Sequence, residues 1–119
     1  MSSRRFEKHI FVCVNERPPE NTKGCCSAKG GYDIRLAFAK LIAEHGLKSK
    51  VRANKSGCLD SCELGATVVI YPEGYWYTEV SPEDVLEIFE KSVLKDEPVS
   101  RLLADHKTWH RLRVIRDKN

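Results

Sequence analysis

Apolar and polar residues alternate along this chain in two regimes, a period of two in some stretches and a period near 3.6 in others, and the switches between them set out the elements. His9 to Val14 is rich in β-branched and aromatic residues and reads as a first strand, holding the longest wholly apolar stretch, Ile10 to Val14. Asn15 to Gly24 reads as a loop, because Pro18-Pro19 cannot donate backbone hydrogen bonds. After Gly30-Gly31, the residues Ile34, Ala37, Phe38, Leu41 and Ile42 recur with the spacing of one buried helical face, and Gly46 supplies the stop. Over Lys50 to Asn54, Val51 and Ala53 alternate with polar neighbours, and the flanking Lys48 and Lys55 suit a strand at a sheet edge.

Thr67 to Tyr71 predicts a third strand, Pro72-Glu73-Gly74 a turn, and Tyr75-Trp76-Tyr77 its hairpin partner. Ser81-Pro82-Glu83-Asp84 announces a second helix, with a capping hydroxyl, proline at the first helical position and acids beside the positive end of the dipole. Val85, Ile88, Phe89 and Val93 then form its inward side. The order β-α-β-β-β-α predicts an α/β domain, an α+β mixed sheet of thioredoxin-like layout with four strands flanked by two main helices.

A chain of 119 residues falls in the range of one domain and buries roughly two-thirds of its unfolded surface. No apolar run approaches the length needed to span a membrane. Ser3-Arg4-Arg5-Phe6 has the outline of a twin-arginine export signal, but Glu7, Lys8 and His9 follow at once, so the expectation is a cytoplasmic protein. The net charge of +3 divides unevenly: residues 106–119 carry +4 and the rest −1. We therefore expect a domain over residues 1–105 and a basic tail over 106–119, in which Trp109, Leu112 and Ile115 recur at three-residue spacing and can pack on the domain or on a partner. Basicity confined to a tail argues against a nucleic-acid-binding face, and Tyr75-Trp76-Tyr77 is better read as a strand with at least one ring in the core or at a dimer contact than as a base-stacking platform.

The candidate chemistry lies in five cysteines, an odd number that cannot all pair. In a chain expected to stay in the reducing cytosol they point to metal or redox chemistry. Cys13 ends the first strand, Cys25 and Cys26 precede the first helix, and Cys58 and Cys62 sit between the second and third strands, so that four can converge at one end of the sheet. Each has a plainer reading by itself: a cysteine in an apolar strand is more often a small buried hydrophobe. Their conjunction favours ligation. Of the histidines His9, His45, His106 and His110, only the last two have the spacing of a metal pair, and they belong to the tail.

These residues carry a resemblance. Ile10-Phe11-Val12-Cys13-Val14, Arg17-Pro18-Pro19, Gly24-Cys25-Cys26, Gly57-Cys58-Leu59-Asp60-Ser61-Cys62, Val69 to Tyr77 and Glu97-Pro98-Val99 together resemble the thioredoxin-like 2Fe-2S ferredoxin family, over about residues 8–103. The resemblance implies a small homodimeric electron carrier that is not an enzyme. It also implies a 2Fe-2S cluster held by Cys13, Cys26, Cys58 and Cys62. Gly24-Cys25-Cys26 offers two thiols for one position, and the family's spacing of twelve residues after Cys13 selects Cys26, leaving Cys25 as a spare. Ala66 stands where the family often has proline.

Four thiolates on such a core demand nearby donors, and the backbone N–H groups of the Gly57 to Cys62 loop and of Gly24 to Ser27 are the candidates. All-cysteine ligation implies a low potential, about −400 mV. The partners expected are a low-potential electron-donor reductase and an acceptor enzyme, and Asp60 and Glu63 beside the ligand loop suggest an acidic docking face for a basic partner. Two other classes compete. A structural zinc module with four cysteine ligands usually builds from two close cysteine pairs, and only Cys58 and Cys62 form one here. A thiol oxidoreductase usually needs Cys-x-x-Cys, which is absent.

Overall fold

The computed structural model describes residues 6–14, 30–57, 59 and 64–117. Four strands, β1 (Lys8–Cys13), β2 (Val51–Ser56), β3 (Val68–Tyr71) and β4 (Tyr75–Tyr77), form one sheet in the order β2-β1-β3-β4. β1 runs parallel to β2 and antiparallel to β3, and β3 pairs antiparallel with β4. The mixed sheet and the edge position of β2 are as the sequence predicts.

Helix α1 (Gly31–Glu44) makes the crossover between the parallel pair. Its chain reverses where Gly46 takes φ of +66°, a left-handed conformation that glycine adopts without steric cost. Helix α2 (Val85–Ile88) is entered by a 3-10 turn, Pro82–Asp84, and continues as a π-helical stretch, Phe89–Leu94. The Asp84 carboxylate accepts from the Ser81 backbone N–H at 2.9 Å and from its hydroxyl at 3.0 Å, and Arg101 donates to it at 2.8 Å. Burial raises the Asp84 pKa, but the Ser81 backbone bond and the Arg101 contact outweigh it and hold the carboxyl below its ordinary value.

Pleating divides the sheet into two faces. Ile10, Val12, Val68 and Ile70 are fully buried on the inner face, against Ile34 and Phe38 of α1 and against Ile88 and Phe89. Tyr77 closes this core, its hydroxyl 2.6 Å from Ser92 Oγ and accepting the Val99 backbone N–H at 2.9 Å. On the outer face stand His9, Phe11 and Cys13 of β1, Val69 of β3 and Trp76 of β4.

Residues 106–117 form a third helix, α3 (His106–Asp117), rather than the solvated tail that their charge suggests. The Asp105 carboxylate accepts from the Thr108 backbone N–H at 3.1 Å, and Thr108 Oγ1 accepts from the Asp105 N–H at 3.1 Å, which caps the helix. The ring of Trp109 meets Trp76 edge-on, centroids 5.8 Å apart and planes at 82°, and Arg111 pairs with Glu79. Leu112 is buried beneath the helix.

Candidate metal centre

Cys13 is the last residue of β1 and is wholly inaccessible to solvent, on the opposite side of the sheet from the main core. Leu59 packs against it. Burial of that kind would suit a structural cysteine as well as a ligand, so its surroundings decide between the two.

Cys13 faces Ser56 in the parallel register with β2, and the next residue, Val14, donates its N–H to the Ser56 carbonyl at 3.0 Å. On its other side the Cys13 N–H donates to the Thr67 carbonyl at 3.1 Å. Ser56 and Thr67 are therefore the two anchors of the segment that carries Cys58 and Cys62. Cys58 follows Ser56 by two residues, a reach of at most about 7 Å. Cys62 precedes Thr67 by five residues, a reach of about 18 Å.

The remaining segment arrives by topology. Because β1 and β2 are parallel, the helix between them must start at the end of the sheet where β1 finishes. The first residue of α1, Gly31, therefore stands at the Cys13 end, and it follows Cys26 by five residues in sequence. Gly30, with φ of +95°, lies against the ring of Pro82, which fixes the helix start beside α2. Cys25, Cys26, Cys58 and Cys62 themselves lie outside the described residues. Among the described residues no group of three or more His, Cys, Asp or Glu side chains is placed to hold a metal ion.

The chemistry of the donor set fits an iron-sulfur group. Thiolates are the soft, anionic ligands such clusters need, and the buried Cys13 site keeps water away from the sulfur. Ala66, the residue before the second anchor, is joined to Gly65 by a cis peptide. The sequence did not identify Ser56 and Thr67 as framing residues; their role lies in backbone groups, which leave no side-chain signature.

A four-stranded mixed sheet in the order β2-β1-β3-β4, with a buried cysteine at the end of β1, defines a thioredoxin-like class, and comparison with known proteins narrows it. The chain is 42% identical over 97 residues to "Ferredoxin, 2Fe-2S" of Aquifex aeolicus (strain VF5), an alignment spanning 81% of this chain and 87% of that protein. It is 39% identical over 94 residues to "Ferredoxin, 2Fe-2S" of Clostridium pasteurianum, spanning 79% and 92%. The crystal structure of the wild-type thioredoxin-like [2Fe-2S] ferredoxin from Aquifex aeolicus superposes with a TM-score of 0.80 at 40% identity, covering 84% of this chain and 98% of that one. No protein-family model matches the chain.

The chain belongs to the thioredoxin-like 2Fe-2S ferredoxins. It is an electron-transfer protein and not an enzyme.

Proposed function

We propose that Cys13, Cys26, Cys58 and Cys62 hold a 2Fe-2S cluster through their thiolates, with Cys25 as a spare. The observation that carries this reading is the framing of Cys13 by Ser56 and Thr67, the two anchors of the segment bearing Cys58 and Cys62. When bound, the cluster supplies reversible one-electron chemistry at low potential. The chain's own part is to fix and shield it. β1 holds Cys13 rigidly between two neighbouring strands, and Leu59 closes over the thiol.

The working assignment is residues 1–105 as the ferredoxin domain and residues 106–119 as an appended basic segment. The partners are an electron-donor reductase and an acceptor enzyme, and the compartment is the cytoplasm, where reduced thiols persist. Among the described residues no helix is long and apolar enough to cross a membrane.

A homodimer is supported by the outer face. There Phe6 and His9 lie 5.7 Å apart, His9 and Phe11 stack at 4.3 Å, and Phe11 meets Tyr71 at 6.0 Å, an aromatic strip that α3 leaves accessible at Tyr71. Purification with and without air, followed by an absorption spectrum and iron and sulfide counts, tests the assignment. Iron and acid-labile sulfide in equal amounts uphold it; zinc without sulfide overturns it.

A further inference from the structure

Helix α3 lies beyond the residues 8–103 that carry the family resemblance, and its position gives it a use. Its contacts advance along the sheet: Trp109 rests on Trp76, and Arg111 reaches Glu79, beyond the end of β4. Glu79 donates its backbone N–H to the Leu64 carbonyl at 2.7 Å, two residues after Cys62 in sequence. The helix therefore runs towards the cysteine end of the sheet. It also lies on the same face as Cys13, with β4 two strand spacings, about 10 Å, from β1.

Most of the apolar residues of α3 face the domain: Leu112 is buried, and Trp109 and Ile115 are half-buried. The opposite side presents Lys107, His110 and Arg113 to solvent, with Val114 exposed among them. Arg111 is neutralised by Glu79, whereas Lys107 and Arg113 form no salt bridge among the described residues. With +4 on residues 106–119 against −1 on the rest, the net positive charge of the polypeptide belongs to this C-terminal segment. A membrane is a poor occupant, since Trp109 and Leu112 already face the protein and the exposed Val114 is a small apolar anchor beside Lys107, His110 and Arg113.

We propose that the exposed basic side of α3, centred on Lys107 and Arg113, docks an acidic surface patch on a redox-partner protein and so sets the partner beside the cysteine end. This rests on the ferredoxin reading.

The test uses the isotope-labelled full chain and two one-electron proteins of opposite charge, an acidic rubredoxin and the basic cytochrome c. Rubredoxin should shift backbone amide resonances of residues 106–117, and the shifts should fade between about 20 and about 200 mM salt. The double variant Lys107→Glu/Arg113→Glu changes only exposed side chains and should keep its circular dichroism. It should lose the shifts, and its reduced form should pass electrons to rubredoxin about tenfold more slowly at low salt.

Retention of the shifts in the double variant, rubredoxin shifts centred away from α3, or a preference of wild-type α3 for cytochrome c would each overturn the proposal. So would α3 shifts produced by phosphatidylglycerol vesicles and not by rubredoxin, which would assign the helix to a membrane. The amide shifts do not require a cluster. A chain purified without iron and sulfide contradicts the proposed function, while the same titration still decides the docking surface.

Discussion

The backbone N–H of Cys13 donates to the carbonyl of Thr67 at 3.1 Å, tying the thiol at the end of β1 to the chain that emerges from the Cys58 and Cys62 segment. Replacing the Cys13 sulfur by oxygen should leave this bond intact and remove only the ligand. Cys13→Ser should therefore fold, yet lose or weaken visible absorption and shift the electron paramagnetic resonance of the reduced state. Cys26→Ser, Cys58→Ser and Cys62→Ser should do the same, and Cys25→Ser should change neither. Bleaching by Cys25→Ser with Cys26→Ser intact would transfer the fourth ligand to Cys25.

The reduction potential should be low. Four thiolates with no histidine in their place correspond to about −400 mV, against a range of about −150 to +300 mV when two histidines ligate one iron. A protein-film voltammogram locates the midpoint, and a value in the histidine-ligated range would mean that the ligand set is wrong.

The Tyr77 hydroxyl serves two buried partners, Ser92 Oγ at 2.6 Å and the Val99 N–H at 2.9 Å. Tyr77→Phe keeps the ring but strands the Val99 donor. We expect a loss of about 1–3 kcal/mol of stability, read as a lower urea midpoint by far-ultraviolet circular dichroism. An unchanged midpoint would show that water replaces the hydroxyl.

His9 gives the outer face a pH dependence. Burial lowers its pKa from the ordinary 6.5, and the charge of Arg52 lowers it further. Its Nε2 is buried without a hydrogen-bond partner among the described residues. As pH falls below 6.5 the unfolded chain takes up the proton first, so the stabilisation from a neutral His9 is present above that value and is lost as pH falls through the lowered folded one. Denaturation between about pH 7 and 5 should show the loss, and His9→Phe should flatten it. An equal slope in the variant would place the titrating group elsewhere.

Much of the sheet was legible because its signals are local. The β-branched, apolar runs became β1 and β3, Pro72-Glu73-Gly74 became the hairpin turn, and all four residues expected on the inward side of the second helix, Val85, Ile88, Phe89 and Val93, are buried. Element ends were less so. β2 extends to Ser56 rather than stopping at Asn54, because the parallel register with β1 continues to Cys13 and tertiary pairing overrides weak local propensity.

The charge of residues 106–119 concealed α3. Asp105 and Thr108 carry a capping pattern, and Trp109 and Leu112 carry the apolar spacing of a short helix, but five cations over those residues read as a solvated tail until Trp76 supplies a surface to pack on. Of the candidate centre, the sequence proposes four thiols, of which Cys13 falls among the described residues. It could not name Ser56 and Thr67, whose backbone groups become meaningful only once the sheet order places β1 between β2 and β3.

Iron K-edge X-ray absorption on the purified oxidised protein tests the central claim most directly. The account predicts iron surrounded by sulfur alone, with one iron neighbour at close range. Nitrogen or oxygen in the first shell, a single isolated iron, or a zinc edge in place of iron would contradict it.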